Sequence, residues 1–252
     1  MRTLPLLCLL LLPVGACAGD FKDGQQARPR VKAAYQRHGA EVEAAFRTAG
    51  AAWPPKGIFL RAFKADDVVE LWAAPPKAGG RYVKVRDFAV CARSGVLGPK
   101  RRVGDFQVPE GFFTIDRFNP QSSYHLSLGL DYPTVADRAR TPRGVSPGGD
   151  IFVHGQCVTI GCLPLQDDPM EALYVAAVEA RSQGQSRIPV HVFPCRLDQP
   201  DCQVKLGALS AQDPELAGFW GLLRPGYLAF EATGRPPRVT PLKDGSWQVD
   251  PR

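Results

Sequence analysis

Beyond its first eighteen residues, the chain has no apolar run long enough to span a bilayer, so no second membrane segment is expected. It has no internal repeat and no low-complexity tract, which excludes repeat architectures. It also lacks a basic stripe. Against 31 Lys and Arg stand 25 Asp and Glu, and the densest basic cluster is Lys100-Arg101-Arg102. With neither a stripe nor a nucleic-acid-binding motif, the net charge of +6 suits an anionic polymer or surface, or an ordinary solvated face. No nucleic-acid partner is expected. Disorder is excluded as well, because 44% of the residues are hydrophobic. Turn residues, by contrast, are abundant. The 25 glycines and 24 prolines carry no collagen period, and they argue for a strand-rich, loop-heavy fold over a helical bundle.

The N-terminus has the three parts of an export leader. One basic residue, Arg2, precedes the apolar run Leu4 to Leu12, and small residues follow around Ala16-Cys17-Ala18. Two cleavage readings stay open. Ala16-Cys17-Ala18 is an A-x-A site that frees a soluble protein beginning at Gly19. Val14-Gly15-Ala16-Cys17 resembles a bacterial lipobox, in which Cys17 is lipidated and anchors the chain, by its neighbour Ala18, to the outer membrane. Either way Cys8 leaves, and Cys91, Cys157, Cys162, Cys195 and Cys202 remain. An odd number in an oxidising compartment suggests two bridges and one free thiol. Cys195 and Cys202 flank a short loop and make a natural pair, and Cys91 with Cys157 would be the second.

Periodicity predicts a helix over 29–48, opened by Pro29 and ended by Gly50, with Val31, Tyr35, Val42, Ala45 and Phe46 on one face. Strands are expected at 57–63, 68–73, 81–91, 111–118, 124–129, 150–155 and 187–193. The Pro/Gly-rich stretch 131–149 reads as a long functional loop. A helix over 168–182, capped by Asp167 or Asp168, carries Met170, Leu173, Tyr174 and Val178 as its buried stripe. Another opens at Asp213-Pro214, and 235–252 reads as a loop with one short strand near Trp247. The expected division is a leader (1–18), a helix and linker (19–56), a catalytic unit (57–200) and a helix and tail packed upon it (201–252). The fold class is mixed α+β and strand-dominated.

The chemistry-bearing stretch runs from Asp150 to Cys162. An apolar strand delivers His154 at its end, and Gly155 lets the chain turn at once. Eight residues after His154 comes Gly161-Cys162, ahead of a helix. A cysteine nucleophile needs a base nearby, an environment that favours thiolate and backbone N–H groups for an oxyanion. The plainer reading makes His154 a satisfied strand-end histidine and Cys162 half of a disulfide; the cysteine parity argues against it. Cys157, three residues from His154, is an alternative nucleophile but has no glycine before it and no capped helix after it. Tyr124 and His125 alternate on an expected strand, so one of them at most would face the site. His191 reads as structural.

The same residues resemble the L,D-transpeptidase catalytic-domain (YkuD) family, most of all its YafK-like branch. Pro109-Glu-Gly-Phe-Phe-Thr-Ile115, Asn119 to Ser127, Leu130-Asp-Tyr-Pro-Thr134, Ile151–Gly155, Thr159–Cys162 and Ile188 to Pro194 match in order, so the likeness spans roughly residues 58–197. The resemblance implies a β-sandwich-like fold with flanking helices and periplasmic work on peptidoglycan stem peptides. It assigns Cys162 as nucleophile and His154 as base. Gly155, Gly161 and Thr159 shape the site, and the Cys162 N–H contributes to an oxyanion hole. Two positions depart from the broad family: Ile160 replaces a histidine and Pro164 replaces an arginine. They leave the acyl acceptor open between an amine and water, and they make Arg196 a candidate carboxylate binder. A wall-linked lipoprotein is a candidate partner. No cofactor and no metal are expected. The rival reading is a zinc site from His154, Cys157, Cys162 and either His191 or Cys195, although the spacing fits no zinc ribbon or finger. A non-catalytic wall-binding protein is the third.

Overall fold

The computed structural model describes residues 18–252; the expected leader, with Cys8 and Cys17, lies outside them. Two helices open the chain, α1 (Ala18–Gln26) and α2 (Pro29–Thr48). Three strands follow, β1 (Ile58–Phe63), β2 (Val68–Ala73) and β3 (Val83–Ala89), and then β4 (Gly111–Asn119) and β5 (Ser127–Leu130). A short helix α3 (Val135–Arg140) precedes β6 (Phe152–His154) and β7 (Leu163–Pro164). The remainder is α4 (Asp167–Ser182), β8 (Ile188–Phe193), α5 (Pro200–Gln212), α6 (Pro214–Thr233), β9 (Arg238–Pro241) and β10 (Trp247–Asp250). The mixed α+β class is as expected.

Eight strands form one sheet in the order β3-β2-β1-β8-β4-β5-β6-β7, and β9 and β10 form a separate hairpin. The strands β1 and β8 run parallel, as do β6 and β7; the remaining neighbours are antiparallel. Every residue of β1 is buried because both faces of the sheet are covered. Ile58, Leu60, Val190, Val192, Phe113 and Ile115 pack with α2 and α4. Phe63, Phe112 and Phe193 point the other way, onto Phe219, Trp220 and Tyr227 of α6. The helical additions at the two ends of the chain therefore sandwich the sheet between them. α4 is buried all round, wider than the expected stripe, because α1 and α2 cover its outer face.

Several local expectations change. Neither Asp167 nor Asp168 caps α4; its N-cap is Gln166, and both aspartates lie in the first turn. The stretch 131–149 contains α3, held by a capping box between Thr134 and Asp137. The loop expected after Cys195 turns at once into α5, with Pro200 in its first turn. The tail holds two strands instead of one. Tyr124 and His125 precede β5, and His125 adopts φ +66°, a left-handed conformation that ends strand geometry there.

Candidate active site

His154 ends β6, and Cys162 stands immediately before β7. The two strands run side by side with His154 opposite Pro164. The loop joining them is fixed at four points. At Gly155 a Cβ would meet Asp167 Oδ1 at 2.6 Å and the Tyr124 carbonyl at 3.0 Å, so a side chain has no room. The Gln156 N–H donates to the Asp167 carboxylate at 2.9 Å, which explains why that aspartate does not cap its own helix. Cys157 is bridged to Cys91, just beyond β3. Gly161 adopts φ +138° with the Gln107 carbonyl 2.9 Å from where a Cβ would sit.

The second disulfide joins Cys195 and Cys202, and Cys162 is the free cysteine among the described residues. Its sulfur is half-buried. The Phe152 N–H lies 3.4 Å from Sγ, and the thiol faces the Asp150 carbonyl at 3.7 Å. Burial pushes the thiol pKa above its ordinary 9.0, and the Phe152 N–H only partly opposes this. His154 is buried with Nδ1 2.6 Å from its neighbour's carbonyl, Gly155 O. That contact assigns the proton to Nδ1 and leaves the Nε2 lone pair free to act as a base. Burial also lowers the imidazole below 6.5, so the ring is neutral at neutral pH. The Tyr124 ring lies against it, 4.8 Å between centroids and tilted 34°. No hydrogen bond joins Sγ to His154 among the described residues: the thiol faces the Asp150 carbonyl and the imidazole faces the Gly155 carbonyl, and burial favours the neutral form of each. Such contacts commonly tighten only when substrate binds.

Three expectations about neighbouring groups are corrected. The Cys162 N–H is not open to an oxyanion in this state. It donates to the Thr159 hydroxyl at 2.8 Å, the Gly161 N–H donates to the same oxygen at 3.1 Å, and the hydroxyl donates to the Cys162 carbonyl at 2.9 Å. Arg196 is not a spare cation. Its guanidinium meets Glu70 at 2.8 Å and Asp66 at 3.3 Å and stacks on Phe63, on the face of the sheet covered by α6. Tyr124 and His125 both serve the site region, because the turn replaces strand alternation. Tyr124 covers His154, while His125 Nε2 lies 2.6 Å from the wholly buried Glu171, which also binds Arg37. The rival zinc set does not assemble: Cys157 and Cys195 are oxidised, and His191 is walled in by Phe59 and Phe112 on the α6 face.

Asp167, Asp150 and the Thr159 clamp were not singled out in these roles by the sequence. Asp167 had a stronger local explanation as a cap, and a contact across eleven residues leaves no periodic trace.

No family model matches the chain. It is 31% identical over 185 residues, 73% of this chain and 70% of the relative, to YafK of Escherichia coli K12, provisionally named an L,D-transpeptidase; the same figures hold for YafK of strain O157:H7. Among solved structures it is similar to the helical cell shape determining protein Pgp2 from Campylobacter jejuni, with TM-score 0.43, 15% identity and coverage of 73% and 72% of the two chains. It is also similar to Bd1075 of Bdellovibrio bacteriovorus, with TM-score 0.39, 16% identity and coverage of 57% and 50%. On the sequence match to YafK, which takes in most of both proteins, the chain belongs to the L,D-transpeptidase family, on its YafK-like branch.

Proposed function

We propose that the protein is a cysteine acyl-transfer enzyme acting on peptidoglycan stem peptides. The observation that carries this reading is a free thiol, left over when the other four cysteines of the described residues close two disulfides, on a loop that begins at a tautomer-fixed histidine. The Nε2 lone pair of His154 takes the Cys162 proton as sulfur attacks the carbonyl at the L-centre of the diacidic stem residue. The imidazolium then donates that proton to the leaving amine, and a thioester remains on Cys162. As charge develops on the carbonyl oxygen, that oxygen replaces the Thr159 hydroxyl as acceptor for the Gly161 and Cys162 N–H groups. An incoming amine gives a transpeptidase product.

Water as acceptor gives an amidase that detaches a lipoprotein or a second stem, and two positions favour it. Ile160 is 74% exposed where the broad family carries histidine, and Pro164 stands where it carries arginine. The enzyme works in the periplasm, and Cys17 is lipidated to hold it at the outer membrane. The leader pattern and the two disulfides support this location.

The test is mass analysis of purified peptidoglycan fragments incubated with wild type and with Cys162→Ala. The expected result is a new linkage or a released amine with wild type, a transient adduct on Cys162, and neither with the variant. Turnover by Cys162→Ala would sink the reading. The mass of the mature N-terminus checks the anchor, and a free Gly19 amine would remove it.

A further inference from the structure

With Arg196 held by Glu70 and Asp66, a cation for the substrate's free carboxylate has to come from elsewhere. A cavity of about 430 Å³ opens between β4, the turn leading into α3 and residues 149–150. It adjoins Cys162 most directly through Asp150. Asp150 lines the cavity, and its carbonyl oxygen lies 3.7 Å from Cys162 Sγ. Asp150 adopts φ +55°, a left-handed turn between the cavity and the thiol. A second link runs through Arg117, whose guanidinium stacks on Phe152 at 4.9 Å; the Phe152 N–H points at Sγ. Gly129 makes room for that arginine, since a Cβ there would lie 2.8 Å from Arg117 Nε.

The charges in the cavity are mixed. Arg117 bridges Asp116 at 3.1 Å and Asp150 at 3.0 Å. Asp131 accepts from the Thr114 N–H and hydroxyl and has Arg187 at 3.5 Å. Arg138, exposed on α3, makes no ion pair or side-chain hydrogen bond among the described residues. A plain dianion would meet three carboxylates here, and a plain cation would leave Arg138 unanswered. A group carrying both charges answers the whole lining.

We propose that this cavity is a subsite for an α-ammonium carboxylate, the free amino-acid end of the substrate, with its carboxylate on Arg138 and its ammonium toward Asp116 and Asp150. The proposal rests on the acyl-transfer reading above, which puts the reacting carbonyl at Cys162.

The test is titration calorimetry on the full chain carrying Cys162→Ala, so that binding is read without turnover. One probe is a stem-peptide fragment whose diacidic residue keeps a free ammonium and carboxylate at its side-chain end. The second is the same fragment with that carboxylate amidated. Arg138→Gln is expected to weaken the first on the order of tenfold and to leave the second unchanged. Because Arg138 is exposed, the variant should melt with its parent. Equal affinity of parent and variant for the free-carboxylate probe would overturn the subsite even if a Cys162 thioester still forms. Turnover by Cys162→Ala would instead defeat the nucleophile assignment and leave the binding result standing. A third probe, free D-alanine, distinguishes sources: Arg138-dependent binding as tight as the fragment's would keep the chemistry and assign the cavity to a free amino acid.

Discussion

His154 and His191 are both strand residues, both 2% exposed and both held below the ordinary histidine pKa by burial, yet their surroundings differ in kind. His191 lies edge-on between Phe59 and Phe112, its Nδ1 has no partner, and burial with the nearby Arg61 charge takes its pKa down to about 3. His154 has one nitrogen committed to the Gly155 carbonyl and an aromatic cover in Tyr124 that is itself exposed. Burial alone makes a histidine inert. Burial with one nitrogen anchored makes it a base with a defined lone pair.

The sharpest way to break this contrast is to exchange the consequences. His154→Gln should lower turnover on the order of 10²- to 10⁴-fold, the range for a lost general base, while the melting temperature changes little. A variant that keeps wild-type rates would remove His154 from the chemistry. His191→Leu should do the opposite, keeping turnover and changing acid stability. The folded His191 pKa lies below the unfolded value near 6.5, so as pH falls through 6.5 the unfolded chain takes up a proton that the folded chain refuses. Stability from this residue is complete above that range and drains as pH drops toward 3, at about 1.4 kcal/mol per unit. Urea midpoints between pH 7.5 and 4.5 should therefore fall less steeply in His191→Leu; parallel curves would contradict the assignment.

Smaller effects follow at the thiol. Because burial raises the Cys162 pKa, iodoacetamide labelling of the resting protein should still be accelerating above pH 9. A plateau near neutrality would instead indicate a standing thiolate–imidazolium pair. Tyr124→Ala, which uncovers His154, should cost only several-fold in rate and shift the acid limb of the pH profile toward 6.5, as water reaches the ring. An unmoved limb would leave Tyr124 without influence on the base.

How far the sequence could be read depends on whether the signal is local. Helices α2 and α4 announced themselves through periodicity and terminal residues, and the Asp150–Cys162 stretch through its order of strand, histidine, glycine and cysteine. Helix α5 did not, because apart from Cys202 none of its residues is buried, and its start coincides with a plausible loop. The pairing of β1 with β8, across some 130 residues, has no local trace at all. Nor does the Thr159 clamp. Two N–H groups converge on one hydroxyl only because Gly161 adopts a conformation that a list of residues does not state. Arg196 failed for a related reason: its carboxylate partners lie 126 and 130 positions earlier in the chain.

Among the described residues four cysteines are oxidised while a fifth stays reduced, which poses a sorting problem each time the chain folds. Disulfide exchange needs a thiolate, and the half-buried Cys162, its pKa raised, offers little of it. The Cys91–Cys157 bridge lies only five residues from that thiol, within the same loop, so any thiolate formed early would have a disulfide at hand to attack. Burial that disfavours the thiolate therefore keeps this sulfur from attacking the neighbouring bridge, and so lends durability to both.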